Sequence, residues 1–170
     1  RIIDQVVTRA TERGRTSAIL TFDPHPPRIV RPDKAPPLLM TKEQKMEWVA
    51  EAGIDWAAVV RFTPEISEWE PNEFVATVLA DWLHVSEVWV GANFLFGHDR
   101  GGNFTLLREL GVRHGFRVEK IDPVRYKEFI VSSTRIRRLV TDGYVDEAGV
   151  LLGHHYVIDG EVVPGARRGQ

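Results

Sequence analysis

The chain opens with a stretch in which apolar residues recur at helical spacing. In RIIDQVVTRATERG, the residues Ile3, Val6 and Val7 follow the i, i+3, i+4 pattern of one helix face. The short apolar run SAILTFD comes next, between turn-forming residues, which is typical of a buried strand. The same alternation of an amphipathic helix and a short apolar strand then continues along the chain.

Three further helix and strand pairs follow this first one. Helical patterns cover residues 41–53, 71–83 and 103–115, and the apolar runs after them are AAVVRF, SEVWVGANF and FRVEKID. Helices that alternate with short strands imply parallel strands joined by right-handed crossovers, with helices on both faces of the sheet. We therefore predict an α/β fold with a doubly wound parallel sheet. Ligands of such sheets bind beyond the carboxyl ends of the strands, so the segments after each strand are the candidate sites.

Composition narrows the class of protein and its partners. At 170 residues and 43% hydrophobic content, the chain is long enough to form one main domain with a substantial core. A net charge of -2 argues against a broad basic surface for nucleic acid. The absence of cysteine excludes disulfides, thiolate zinc sites and cysteine nucleophiles. No apolar run approaches a membrane span and no secretory signal is evident, so we predict a cytoplasmic protein.

The stretch IVSSTRIRR places three residues with hydroxyl side chains directly before a segment that contains three arginines. Ser132 or Ser133 suits a helix N-cap, and the backbone N–H groups and dipole of a helix N-terminus favour an anion. The arginines of the following turns, which oppose the dipole, are Arg135, Arg137 and Arg138. We interpret the stretch as a site for a polyanion such as a triphosphate; the alternative is a capped helix with a solvated arginine face. No Walker A pattern is present, which excludes the P-loop mechanism.

The segment TFDPHP follows the first predicted strand. Pro24 and Pro26 stiffen the backbone around His25, so that Phe22 could present a ring for stacking. One alternative is a metal site built from Asp23, His25, His98 and Asp99, whose ligand types are suitable but whose spacing is not diagnostic. The other alternative is an ordinary turn.

The segment GANFLFGHDRGGN follows a later strand and combines glycines with an amide and two aromatic rings. Asn93, Phe94 and Phe96 in this flexible setting suit a planar heterocycle with polar edges. The alternative is a glycine loop whose two phenylalanines fold back into the core.

Taken in order, TFDPHP, GANFLFG and VSSTRIR, followed by LLGHHYVIDGEVVPG, resemble the bacterial bifunctional riboflavin kinase/FMN adenylyltransferase family, also called FAD synthetase. The likeness covers essentially the whole chain, and VSSTRIR looks like the I-S-S-T-x-x-R signature of nucleotidyltransferases. The resemblance implies a Rossmann-like nucleotidyltransferase fold. It also implies transfer of AMP from ATP to FMN with release of pyrophosphate, with magnesium neutralising the phosphates.

The resemblance further implies two groups of site residues. The ATP phosphates would be bound by Ser132, Ser133, Thr134, Arg135 and Arg137, and the flavin by Phe22, Pro24, His25, Asn93 and Phe94. Asn93, Ser133 and Arg137 would be the catalytic residues, and we assign no residue of this chain as a metal ligand.

Two parts of the family pattern lie outside this sequence. The H-x-G-H signature precedes the helix that opens the chain, so we expect that segment and its strand before residue 1. We predict that residues 1–153 are the adenylyltransferase domain and that residues 154–170 begin the riboflavin kinase domain, a β-barrel whose first strand lies near Tyr156 to Val163. Leu95 stands where many relatives carry a polar or basic residue.

Two other functions stay open from the sequence. The chain could be a flavin- or nucleotide-binding module without turnover, since the principal histidine signature is not among its residues. It could also be a nucleotidyltransferase that uses another phosphate acceptor, such as one of the nicotinamide or pantetheine type. The segments TFDPHP and GANFLFG argue against such an acceptor.

Overall fold

The computed structural model of the chain describes residues 2–161 and Val163. These residues form two compact units. Unit 1 contains the described residues up to Pro37 together with Thr41–Val124, and unit 2 contains Leu38–Met40 and the described residues from Arg125 onward.

Unit 1 alternates helices and strands in the order that the hydrophobic pattern predicts. Its α-helices are α1 (Ile2–Glu12), α2 (Pro27–Val30), α3 (Lys42–Glu51), α4 (Pro64–Ser67), α5 (Pro71–Phe74) and α6 (Phe104–His114). Its strands are β1 (Ala18–Asp23), β2 (Trp56–Arg61), β3 (Glu87–Gly91) and β4 (Arg117–Ile121). Short 3₁₀ helices cover Pro32–Lys34 and His98–Arg100, and a π-helix covers Val75–Trp82.

The strands of unit 1 pair in parallel, as expected for strands separated by helices. β1 pairs with β2 from Ala18 opposite Trp56 to Asp23 opposite Arg61, and β3 pairs with β4 in the same sense. This confirms a mixed α/β fold with parallel strand pairs. Among the described residues the two pairs are separate two-stranded sheets, whereas a single doubly wound sheet had been predicted. Sequence periodicity locates strands but carries little information about which strand edges pair.

A polar contact aligns the starts of β1 and β2. The Asp55 carboxylate accepts hydrogen bonds from the buried Ser17 backbone N–H (2.7 Å) and hydroxyl (2.8 Å). These bonds favour the ionised carboxylate, so the Ser17 backbone N–H and then its hydroxyl lower the pKa of Asp55. The register that this contact fixes brings the carboxyl ends of β1 and β2 level with each other.

The core of unit 1 centres on the helix that follows Pro71. Val75 and Val78 are fully buried, and the amide of Leu83 donates to the Val78 carbonyl five residues earlier, in π-helical geometry. Each fully buried valine contributes about 1.5–3 kcal/mol from its removal from water. The other buried members of this core are Phe74, Leu79, Val90, Phe96, Leu107, Leu110, Phe116 and Val118.

Unit 2 consists of a hairpin followed by two helices. Strands β5 (Arg125–Tyr126) and β6 (Phe129–Ile130) are antiparallel, and helices α7 (Ser133–Thr141) and α8 (Val145–Leu152) follow them. The buried side chains of Ile136 and Ala148 lie on these two helices. Residues 154–161 and 163 carry no strand pairing, and Val162 lies outside the described residues. The first strand of a following β-barrel is therefore not shown here.

None of the helices in the part of the chain that the structure describes is both long enough and apolar enough to cross a membrane.

Candidate functional site

The loop after β1 is held at its start by α3. The Asp23 carboxylate lies 3.3 Å from the Nζ of Lys42, and the Nζ of Lys45 donates to the Thr21 hydroxyl at 3.2 Å. Helix α3 is itself fixed by a reciprocal cap, in which Thr41 and Gln44 each accept from the other's backbone N–H. The residues that follow, Pro24 and His25, are therefore presented from an anchored strand end.

The ring of Phe22 packs into unit 1. It meets Phe62 edge-on with the ring centroids 5.3 Å apart, and it lies 6.1 Å from Phe74. Pro24 and His25 are half-buried beside it, and the His25 carbonyl accepts from the Arg28 amide at 2.8 Å. The flavin contacts predicted for Phe22, Pro24 and His25 remain predictions. Because the Phe22 ring contributes to the core, any such contact uses only part of its surface.

The loop after β3 leaves the side chain of Asn93 exposed and packs its aromatic rings against the core. The Phe94 amide donates to the Gly91 carbonyl at 3.0 Å, and this turn leaves Asn93 exposed beyond the strand end. The rings of Phe94 and Phe96 stack at 5.5 Å, and Phe96 is buried against Phe74. The structure thus follows the alternative in which both phenylalanines fold back onto the core, with Phe94 only partly buried.

Two glycines of this loop allow unusually close contacts. Phe96 and Gly102 exchange backbone hydrogen bonds of 3.0 and 2.8 Å, and a Cβ on Gly102 would lie 2.6 Å from the Phe96 ring. A Cβ on Gly97 would lie 2.7 Å from the ring of Pro71. Neither position accommodates a side chain without movement of its neighbours, so these glycines fix the path of the loop that carries Asn93.

His98 joins the same loop to the segment before α5. Its amide donates to the Trp69 carbonyl at 2.8 Å, and its Nδ1 lies 3.2 Å from the Ser67 carbonyl. The Ser67 carbonyl raises the pKa of His98, and the nearby carboxylates of Glu68, Asp99 and Glu70 add to this while partial burial opposes it. A raised pKa means that the contact is strongest with His98 protonated and weakens as pH rises through that pKa.

The metal site considered from the sequence is not formed by the described residues. Residues 2–161 and 163 contain no group of three or more His, Asp or Glu side chains that could hold a metal ion. The carboxylates nearest to His98 are those of Glu68 and Asp99, whereas Asp23 pairs with Lys42. These partners give no support to a metal site built from Asp23, His25, His98 and Asp99.

The hydroxyl residues of IVSSTRIRR occupy the N-terminus of α7, as predicted. Ser132 is the N-cap, since its Oγ accepts from the Arg135 amide at 3.3 Å. Ser133 and Thr134 follow as exposed residues of the first helical turn. The first N–H groups of a helix have no partner within the helix, so this turn presents backbone donors and two hydroxyls in one place.

The three arginines of the stretch have different surroundings. The Cζ of Arg135 lies 3.7 Å from the centroid of the Phe129 ring. Arg137 is half-buried, whereas the side chain of Arg138 is 84% exposed and its Nε lies 3.5 Å from the Asp142 carboxylate. Arg138 thus pairs along the helix, and Arg135 and Arg137 are the arginines predicted to bind phosphate.

Sequence reasoning missed three side chains that contact candidate residues or the strand that carries them. They are Lys42 beside Asp23, Lys45 on the strand before it, and Phe129 on Arg135. For Phe129 a signal existed, because aromatic and apolar residues flank the polar pair in RYKEFI in the manner of a short hairpin.

Comparison with known proteins agrees with the resemblance noted in the sequence. Residues 1–135 match the family model for FAD synthetase. A bifunctional riboflavin kinase/FMN adenylyltransferase from Listeria monocytogenes is 36% identical over 170 residues, which cover 99% of this chain and 54% of that protein. Proteins of the same name from Escherichia coli and Pseudomonas fluorescens are 32% and 34% identical over 94% and 98% of this chain, and over 51% and 53% of their own lengths.

A solved structure supports the fold. The crystal structure named Macrolide-efflux Protein from Streptococcus pneumoniae matches with a TM-score of 0.78 and 21% identity, over 94% of this chain and 53% of that chain. At this identity the likeness concerns the fold alone. The chain spans about half the length of the curated relatives it matches. The family model covers most of the chain, and the chain belongs to the FAD synthetase family.

Proposed function

We propose that this chain carries out the adenylyl transfer step of FAD synthesis. In this reaction a phosphate oxygen of FMN attacks the α-phosphorus of ATP, the bond between that phosphorus and the α,β-bridging oxygen breaks, and pyrophosphate leaves. The observation that carries the proposal is the N-terminus of α7, where Ser133 and Thr134 lie exposed beside Arg135 and Arg137 in a chain of the FAD synthetase family. Ser132 completes this group as the cap.

The N-terminus of α7 suits a triphosphate for electrostatic reasons. Backbone N–H groups and the helix dipole favour negative charge there, and arginine guanidinium groups supply paired donors for phosphate oxygens. The same dipole disfavours Arg135 and Arg137 when no anion is present. A bound triphosphate offsets that cost. Donors that are already in place can also stabilise the charge that develops on the leaving pyrophosphate.

The flavin side of the proposal rests on unit 1. Asn93 offers an exposed amide at the carboxyl end of β3, and Pro24 and His25 follow the carboxyl end of β1. Ligands of parallel α/β proteins bind beyond such strand ends. Phe22 and Phe94 are packed on the core, so their proposed role is to form the apolar side of the flavin-binding site.

Magnesium enters the proposal as a partner of the substrate. It commonly binds through substrate phosphates with few protein ligands, which is compatible with the absence of a metal-holding group among the described residues. Bound to ATP, it would supply charge neutralisation of the phosphates. In this chain, Arg135, Arg137 and the α7 N-terminus would hold the phosphate oxygens.

The remaining parts of the proposal follow the family. We assign residues 1–153 to the adenylyltransferase domain, with a doubly wound nucleotidyltransferase sheet, and residues 154–170 to the start of a riboflavin kinase domain. The protein that contains this chain would then also phosphorylate riboflavin to FMN, in the cytoplasm. Support comes from relatives that carry both names and are about twice as long.

Binding of FAD tests the proposed function without requiring turnover. FAD contains both the adenylate and the flavin, so we expect saturable quenching of its flavin fluorescence on titration with this chain, with a dissociation constant in the micromolar range. ATP with magnesium should compete with the bound FAD. Absence of binding up to about 1 mM, equivalent to about 4 kcal/mol, would contradict the proposal. In a protein that also contains the expected H-x-G-H segment, FAD binding without FAD formation from FMN and ATP would favour a binding module, and formation of a different dinucleotide would identify another acceptor.

Asn93→Ala should slow FAD formation by at least about tenfold, if its exposed amide orients FMN or a reacting phosphate. The melting temperature should change little, because Asn93 is exposed at a turn. The measurement is the initial rate of pyrophosphate release with FMN and ATP, together with a thermal melt.

Asn103→Ala is the matched control, because the Asn103 side chain accepts from the Leu106 amide at 3.1 Å and caps α6. Loss of this cap should cost about 1 kcal/mol of stability and leave the rate per folded molecule unchanged. A fall in melting temperature for Asn93→Ala as large as that of the control would make Asn93 structural.

A further inference from the structure

Arg135 is held at two points, by its backbone and by its side chain. Its amide donates to the Ser132 Oγ at 3.3 Å, which fixes the residue in the first turn of α7. Its guanidinium carbon lies 3.7 Å from the centroid of the Phe129 ring, which belongs to strand β6 of the preceding hairpin. All of these groups lie in unit 2.

The 3.7 Å distance determines how the guanidinium meets the ring. An edge-on approach would place a nitrogen between Cζ and the ring, and 3.7 Å leaves no room for it. The guanidinium therefore lies flat on the ring. Stacking of this kind uses the face of the guanidinium, whereas its N–H donors point outward in its own plane. The contact thus restricts the arginine without using the donors that bind phosphate.

The ring of Phe129 is not explained by core packing. Phe129 is 46% exposed, although a phenylalanine that served only packing would be expected to bury more of its surface. Its position is set by antiparallel pairing with Tyr126 across a two-residue turn, and Arg125 pairs with Ile130. The hairpin therefore places an apolar platform directly before the N-cap of α7.

We infer that Phe129 is a positioning residue for ATP, which acts by holding the Arg135 guanidinium flat so that its donors are oriented before the triphosphate binds. This inference rests on the proposed function, because it assigns Arg135 to the ATP phosphates. A long arginine side chain loses rotamer entropy when it binds a ligand, and a preformed stack removes part of that cost from the binding step. The effect should therefore appear in ATP affinity and not in FMN affinity.

The neighbouring residue pair provides an internal control. Lys127 lies 5.5 Å from the ring centroid of Tyr126 on the same hairpin, and it lies outside α7. Tyr126→Leu removes an aromatic ring from the adjacent strand of this hairpin and leaves the Phe129 contact with Arg135. Phe129→Leu removes the ring under Arg135, and Phe129→Tyr keeps it.

The test combines a spectroscopic signature with two affinities. In the NMR spectrum, the Arg135 side-chain protons should show upfield ring-current shifts that disappear in Phe129→Leu and persist in Phe129→Tyr and Tyr126→Leu. Phe129→Leu should weaken binding of ATP with magnesium by about threefold to fivefold, which is the range of an exposed cation–π contact. Affinity for FMN should stay unchanged. In an Arg135→Gln background, Phe129→Leu should cause no further loss of ATP affinity.

The possible results distinguish failure of the inference from failure of the proposed function. Absence of the ring-current shift in the unmodified protein would overturn the inference whether or not ATP binds. A shift that is present, with unchanged ATP affinity in Phe129→Leu, would overturn the inference and leave the proposed function intact. Equal losses in Phe129→Leu and Tyr126→Leu would show that the hairpin is needed only for folding, which also overturns it. Failure of the unmodified protein to bind ATP at all would overturn both.

Discussion

Arg137→Ala is expected to weaken ATP binding by about tenfold to a hundredfold while FMN affinity stays within about twofold. Charge-assisted hydrogen bonds are worth about 1.5–3 kcal/mol, and if the half-buried Arg137 donates to the ATP triphosphate as proposed, its removal weakens ATP binding and leaves the FMN contacts in place. Isothermal titration with ATP and magnesium, and separately with FMN, measures the two affinities.

Arg138→Ala is the matched control on the same helix. Its side chain is 84% exposed and pairs with Asp142 at the next turn, a contact worth about 0.3–0.5 kcal/mol. We expect ATP affinity to change by less than about twofold. If Arg137→Ala weakened both substrates equally and lowered the melting temperature, Arg137 would be structural. If it matched the Arg138→Ala control, Arg137 would not bind ATP.

The comparison of these two arginines shows what the sequence could and could not predict. A hydroxyl cap before an apolar stripe identified the N-terminus of α7, and the structure places the cap at Ser132. Helical spacing alone does not distinguish the three arginines. Their environments differ because the stack on Phe129 and the pair with Asp142 depend on neighbours that periodicity does not rank.

The local elements of the fold were predicted well for a physical reason. Short apolar runs between turn residues identified all four strands of unit 1, and Thr41 and Gly115 marked helix ends because a capping hydroxyl and a left-handed glycine satisfy terminal backbone groups. Most boundaries differed by a residue or two, as for AAVVRF and β2 (Trp56–Arg61), whereas the run SEVWVGANF extends three residues beyond β3.

Features that depend on distant contacts were not predicted. The π-helical hydrogen bonds of Val75–Trp82 follow from how the helix packs on the core, and helical periodicity does not distinguish them from α-helical bonds. The two-residue strands β5 and β6 are too short for a period-2 signal, and the polar pair between apolar residues in RYKEFI is the sign of their hairpin that was overlooked. In the same way, the sequence allowed the aromatic rings of GANFLFG either to bind a planar ligand or to pack into the core. The close approach of Phe96 to Phe74 shows that Phe96 packs into the core.

Gly97→Ala should strongly destabilise the loop that carries Asn93. Gly97 has a φ of 73°, and its added Cβ would lie 2.7 and 2.8 Å from the ring carbons of Pro71 and 2.8 Å from the Pro71 backbone nitrogen. This backbone conformation, with ψ at 176°, is essentially restricted to glycine and costs an alanine about 1–3 kcal/mol. Overpacking against a buried proline adds about 1–3 kcal/mol, since a backbone atom at the start of α5 has little freedom to move.

Two other glycines separate these contributions to the loss of stability. Gly115 has a φ of 81° with nothing within 4 Å of an added Cβ, so Gly115→Ala should show the cost of a positive φ without a steric clash. Gly91 has open space and no positive φ, so Gly91→Ala should show neither cost. The measurement is the free energy of unfolding in urea for the three variants. A Gly97→Ala loss no larger than that of Gly115→Ala would mean that Pro71 yields to the new side chain.

The consequence for function depends on where that strain is released. Phe96 is buried on one side of Gly97, and the amide of His98 is bonded to the Trp69 carbonyl on the other, so a displaced Gly97 must disturb one of these two anchors. Both anchors hold the loop that presents Asn93. We therefore expect Gly97→Ala to lower FMN affinity together with stability while ATP affinity changes less. Because Arg137→Ala is expected to do the opposite, the two variants together would assign the flavin to the loop of unit 1 and the phosphates to the helix of unit 2.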